Sequence, residues 1–200
     1  MSDVVLAATV VGVLCALPGC AENIRPDVEP DAADGPVGKV ATVRGADGIY
    51  TTRVDATAVD TWTHVDLETG AESSDQTSWD LAAQRFHLKL NGGVSGTAGV
   101  EVAPVPGALA DVTAAPTTGW ITDAADGEDE NMDPDYAFEQ GDGWYAYDPQ
   151  THLLTPHPTV WVVRTGAGAV VALQITDYYD DAGTSGHFTM TWKALDGGGS

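Results

Sequence analysis

The chain has 200 residues and a formal net charge of -22, from 30 acidic against 8 basic residues. That length suffices for one domain with a real core plus a tail. Such a charge is repelled by nucleic acid and by anionic lipid headgroups, which excludes nucleic-acid binding.

Met1-Ser2-Asp3 precedes an apolar run from Val4 to Leu17, and Pro18-Gly19-Cys20 follows it. The run has the length of a signal-peptide apolar region and is short for a membrane span. Leu17-Pro18-Gly19-Cys20 resembles the lipobox of bacterial lipoproteins, in which the cysteine sulfur carries the lipid. Residues 1–20 are therefore expected to be a lipoprotein signal peptide, with Cys20 acylated and the chain exported to the cell envelope. With Cys15 removed and Cys20 acylated, the mature domain holds no thiol. Cysteine-based metal sites, disulfides and thiol catalysis are then excluded there. More than one acyl chain, each adding roughly 0.8 kcal/mol per buried methylene, gives a stable membrane anchor.

Residues 21–37, AENIRPDVEPDAADGPV, carry little apolar material and read as an acidic, Pro-rich linker. From Lys39 the chain alternates, and Gly45-Ala46-Asp47-Gly48 makes a turn before a short strand at Thr51 to Val54. Thr61 to Leu67 alternates as a strand and turns at Glu68-Thr69-Gly70. Ser78 to Ala82 opens the next ordered segment. In the following QRFHLKL run, Phe86, Leu88 and Leu90 are expected on one face and Arg85, His87 and Lys89 on the other. Asn91-Gly92-Gly93 ends it. A strand over Gly99 to Val105 is cut by Pro104, and Asp111 to Trp120 reads as an irregular connection. Asp123 to Asp135 holds seven carboxylates and is expected to be an exposed loop, since so many cannot be buried unpaired. Ala169 to Ile175 and Gly186 to Leu195 are late strands, and residues 197–200 a flexible tail. Short strands, Gly-, Pro- and Asp-rich turns and the lack of helical periodicity give an all-β class. Antiparallel sheets in a sandwich or curled sheet are expected over 38–196.

The stretch GWYAYDPQTHLLTPHPTVWVVR, residues 143–164, stands out. Trp144, Tyr145 and Tyr147 lead into a turn at Asp148-Pro149, His152 and His157 follow, and Val160 to Arg164 is a strand. Aromatics beside a histidine suit a flat, partly apolar ligand that needs a nitrogen donor, and haem is such a ligand. No Gly-x-Ser-x-Gly elbow, His-Glu-x-x-His helix or phosphate-binding Gly-rich loop is present, so the chain reads as a binder and not an enzyme.

Three segments stand in order: SWDLAAQRFHLKLNGGVSG at 78–96, the aromatic-histidine stretch at 143–164, and LQITDYYDDAGTSGHFTMTWKAL at 173–195. Together they resemble the HmuY family of haem-binding outer-membrane lipoproteins. The resemblance implies a curled all-β sandwich whose long loops close over haem b, held by two axial side chains and passed to an outer-membrane receptor. Carried onto this sequence, it points to His152 as one axial ligand, with His157 as its substitute. The interval from Trp120 to Gly143 has no histidine, and Met132 is its only soft donor. Met132 reads either as the second ligand or as an incidental loop residue. Trp144, Tyr145 and Tyr147 are the candidate haem-pocket residues, and Arg85, Lys89 and Arg164 the candidates for pairing with propionates. His64, His87 and His187 read as structural histidines. A second reading keeps the scaffold but loses haem: a non-enzymatic binding or adhesion module with Ca2+ on the acidic loop.

Overall fold

A computed structural model describes residues 38–75, 77–127 and 132–195. The expected signal peptide, the expected lipidation site at Cys20, the expected linker at 21–37 and the expected tail lie outside the described residues. There is no α-helix among the described residues; two single 3-10 turns, Leu109–Asp111 and Ala137–Glu139, accompany twelve strands. Six strands form one antiparallel sheet. They are β1 (Val40–Arg44), β2 (Tyr50–Asp55), β7 (Glu101–Val105), β10 (Val160–Arg164), β11 (Val170–Tyr179) and β12 (Ser185–Ala194), ordered β1-β2-β12-β11-β10-β7. A second sheet has the order β4-β3-β5-β6, from β3 (Thr63–Asp66), β4 (Ala71–Glu72), β5 (Leu81–Gln84) and β6 (His87–Leu90). A separate hairpin pairs β8 (Tyr145–Asp148) with β9 (Leu153–Pro156).

The core follows from period-two alternation. Phe188, Met190 and Trp192 of β12 face inward and pack with Leu173 and Ile175 of β11. Val65, Leu81, Leu88 and Leu90 of the smaller sheet close over them, as in a β-sandwich. The apolar run of β10 is buried along Val160–Val163 because its sheet is covered on both faces. Trp161 and Val163 join the main core, whereas Val160 and Val162 pack with Leu109 and Val112 of the β7–β10 connection.

The QRFHLKL run departs from the expected continuous strand. The chain reverses at Arg85-Phe86, so Gln84 pairs with His87 across a two-residue hairpin loop. Leu88 and Leu90 are fully buried, but Phe86 stands at the turn, 36% exposed, and does not share their face. Arg85 takes a left-handed φ of 52° there, at a loop position where glycine is usual. Its amide donates to the Ala56 carbonyl at 2.6 Å, and its guanidinium to the Thr57 carbonyl at 3.1 Å and to Ser185 Oγ at 3.2 Å. These tertiary bonds override the alternation.

Asp123 departs from the exposed acidic loop. It is 1% exposed, and its carboxylate accepts the amides of Leu90 at 2.9 Å and Ala137 at 2.8 Å. Burial pushes its pKa up, and the amides and Lys89 oppose that. The carboxylate is buried because it is paired, and it ties β6 to the 3-10 turn that carries Phe138.

Asp80 plays a similar part between the sheets. It accepts the amides of Leu67 and Gly166, each at 2.9 Å, joining β3 to the β10–β11 turn. Burial, and then the neighbouring Glu68 charge, push its pKa up to about 6. The folded state therefore holds this proton more tightly than the unfolded chain. The stabilisation is complete below the ordinary carboxylate range and is lost as pH rises through about 6. Urea unfolding should accordingly show a loss of about 1 kcal/mol from this group between pH 5 and pH 7.5. Asp80→Asn should remove that part of the pH dependence; an unchanged pH profile in the variant would refute the assignment.

Candidate functional site

The β8–β9 hairpin leans over the end of β11 and the start of β12, and the Arg85-Phe86 turn closes the side. Between them lies a cleft of about 420 Å³ lined by Phe86, Tyr145, Tyr147, His152, Leu154, Tyr178, Tyr179 and Ser185. That volume falls within the range of small-molecule sites. Tyr145 and Tyr147 stand two residues apart on β8, so both rings point to the same side. Tyr147 pairs across the hairpin with Leu154, and the Leu154 amide donates to the Tyr179 hydroxyl at 2.9 Å, tying the hairpin to β11.

Tyr178 and Tyr179 are consecutive, yet both reach the cleft. The β11–β12 register shifts on either side of Asp177, and the Asp177 carboxylate accepts the amides of Tyr178 at 2.7 Å and Tyr179 at 3.1 Å. Such a bulge re-aims side chains that a regular strand would send to opposite faces. Burial raises the Tyr145 and Tyr178 pKa values; the Glu139 charge adds to the first, and Arg85 partly offsets the second. Both phenols therefore stay protonated, and these walls present uncharged aromatic surface.

His152 ends the four-residue loop between β8 and β9. Asp148 organises that loop: its carboxylate accepts the Gln150 amide at 2.8 Å and its carbonyl accepts the His152 amide at 2.8 Å. His152 has φ of 59°, a left-handed conformation that costs a non-glycine residue on the order of 1 kcal/mol. Its Nδ1 lies 2.5 Å from the Tyr147 hydroxyl, and Nε2 has no hydrogen-bond partner among the described residues. Arg85 and His152, which flank the cleft, are the non-glycine residues with positive φ among those described.

The expected site residues divide. Tyr145, Tyr147 and His152 line the cleft together. Trp144 lies behind it: fully buried, it packs on Tyr145, Tyr178 and Phe188, and its indole donates to the Phe86 carbonyl at 3.1 Å. His157 is engaged by backbone, with Nδ1 3.2 Å from the Gly143 carbonyl and its amide on the Trp144 carbonyl. Met132 is 91% exposed and outside the lining. Near it in sequence, Pro134 and Asp135 border a second cavity of about 430 Å³, on which Glu139, Asp142, Tyr145 and Tyr147 also lie. Lys89 sits 4.2 Å over the Trp62 ring, and Arg164 is bonded to Glu101 and lies 4.2 Å over Trp120. Of the three basic candidates, Arg85 reaches the cleft wall, through Ser185.

Phe86, Leu154, Tyr178, Tyr179 and Ser185 were not among the expected site residues. Their signal was the Tyr178-Tyr179 doublet after Asp177, which breaks the alternation of β11. Among the described residues, the acidic stretch offers no assembled ligand set for Ca2+. The carboxylates that gather within 4.8 Å of one another are Asp66, Glu68 and Asp80, elsewhere in the fold.

Comparison with solved structures finds the same fold in several bacterial proteins. A Bacteroides vulgatus protein described as HmuY-like and haem-binding shares 20% identity at a TM-score of 0.60, over 76% of this chain and 96% of that one. The apo form of the HmuY analogue of Tannerella forsythia shares 16% at a TM-score of 0.60, over 78% and 98%. A Bacteroides fragilis protein described as a lipoprotein shares 23% at a TM-score of 0.57, over 76% and 91%. Comparison with curated proteins gives no match. The sequence pattern of the HmuY protein matches residues 58–192, which takes in the smaller sheet, β7, β10, β11 and most of β12, the hairpin and every residue of the aromatic cleft, while β1 and β2 lie before it. On that match, across more than half of its length, the chain belongs to the HmuY family.

Proposed function

We propose that this protein binds haem in the aromatic cleft, with His152 at the iron, and carries it without chemical change. The observation that carries the reading is the imidazole of His152, its Nε2 open, on the wall of a cleft faced with Phe86, Tyr145, Tyr147, Tyr178 and Tyr179. A porphyrin offers two apolar faces and an iron that takes a neutral nitrogen donor, and these residues supply both surfaces. In this proposal Arg85, whose guanidinium is bonded to Ser185 of the cleft wall, pairs with a propionate. The reading makes no use of His157, whose Nδ1 lies against a backbone carbonyl, or of Met132, which lies outside the lining.

The apolar run from Val4 to Leu17 with Cys20 just after it, and the similar protein described as a lipoprotein, support an exported, lipid-anchored carrier. In this proposal the acidic segment 21–37 spaces the domain from the membrane, and an outer-membrane receptor takes the haem onward.

Titration of the protein with haemin, followed at the Soret band, tests the ligand. A saturable one-to-one complex is expected. Leu154→Asp, which sets a carboxylate against the cleft wall, should weaken it at least about tenfold. Spectra that never depart from those of free haemin, or a Leu154→Asp variant with unchanged affinity, would overturn the proposal.

A further inference from the structure

We infer that Tyr147 is a positioning residue that makes His152 competent to bind iron, by accepting the Nδ1 proton and so leaving the Nε2 lone pair directed to the ligand. This rests on the haem reading above. The two side chains meet at 2.5 Å, and both border the cleft. A ring nitrogen can ligate a metal when it carries no proton, and which nitrogen is bare is set by the hydrogen bond that the other one makes. Histidines on metals ordinarily donate that other N–H to an oxygen acceptor, which fixes the ring and raises its basicity. Here the atom beside Nδ1 is the phenol oxygen, and no carboxylate or carbonyl among the described residues is bonded to that nitrogen.

The backbone is prepared for the same end. His152 is held in a left-handed conformation by the Asp148 loop, which sets the direction of its Cα–Cβ bond, and the Tyr147 contact is the one that holds the ring among the described residues. Tyr147 is fixed in turn by its pairing with Leu154, which Tyr179 holds to β11. When the iron binds, the Nε2 lone pair forms the bond, the Nδ1 proton stays on the ring, and the water or hydroxide on haemin leaves. No electron is transferred.

The proton's place can be read without haem. In ¹⁵N-labelled protein at pH 8, the ring shifts of His152 should show hydrogen on Nδ1 and a bare Nε2. Tyr147→Phe, which keeps the ring but removes the oxygen, should return His152 toward the tautomer with hydrogen on Nε2. With haemin, Tyr147→Phe should bind about 10- to 100-fold more weakly. The bound complex should keep an imidazole-type spectrum and show a raised midpoint potential. Wild-type His152 with hydrogen on Nε2 would reverse the donor and overturn the inference. So would loss in Tyr147→Phe of a phenolate charge-transfer band, since Tyr147 would then be the ligand. Failure of wild-type protein to take up haemin would instead remove the haem reading, and the role with it, while the tautomer result still reported the hydrogen bond alone.

Discussion

Trp144→Ala should destabilise the domain by about 3–5 kcal/mol, the range for removing a buried tryptophan from a packed core. Trp144 has no exposed surface and packs on Tyr145, Tyr178 and Phe188. Its removal leaves a cavity and also strands the Phe86 carbonyl, which accepts the indole N–H. Trp144→Phe restores part of the volume but not that hydrogen bond, so it should fall between the two. Because Tyr145 and Tyr178 rest on this ring and line the cleft, Trp144→Ala should loosen ligand binding as well. Urea unfolding by circular dichroism checks the stability. A loss below about 1 kcal/mol would mean that Trp144 is not the support assigned to it.

His152→Gly should act in opposite directions on stability and function. Glycine removes the steric cost of the left-handed φ of 59°. The gain is reduced by the exposed Tyr147 bond it deletes and by the extra freedom of glycine in the unfolded chain. The net expectation is a stabilisation of up to about 1 kcal/mol, or roughly 2–4 °C in Tm at this size. Haem affinity should fall at least about 100-fold, because the imidazole is gone. A more stable variant that no longer binds is the signature of a residue kept for its site at the fold's expense. Destabilisation together with undiminished binding would show that the histidine serves the turn alone.

Much of the architecture was legible from alternation. The runs over Val160–Arg164, Ala169–Ile175 and Gly186–Leu195 place apolar residues at period two, or continuously where both faces are covered, and they form β10, β11 and β12. The ordered segments around Trp79-Asp80, Trp144 and Tyr178-Tyr179 carried the family. Local geometry set by single residues was harder to read. Return of the chain through β9 was hidden because histidine, not glycine, occupies the left-handed position that closes the loop. Arg85 hid the β5–β6 turn in the same way, and the apparent stripe of Phe86, Leu88 and Leu90 spans that turn. Asp123 read as one more exposed carboxylate, since nothing local reveals that two distant amides converge on it.

The site was legible at its centre and not at its edges. Tyr145, Tyr147 and His152 share one short hairpin, so their proximity follows from the chain itself. Tyr178, Tyr179, Phe86 and Ser185 arrive from other elements, through a bulge and two turns whose positions alternation does not give. Trp144 directly precedes β8 and Tyr145 opens it; the first is fully buried in the core and the second lines the cleft.

The central claim is that His152 holds the iron of a haem seated in this cleft. Absorption spectra of the haemin-loaded protein and of its His152→Gly variant, prepared alike, test it most directly. An imidazole-ligated ferric spectrum in the wild type that is lost in the variant and regained on adding free imidazole is predicted. Identical spectra in the two proteins would contradict it.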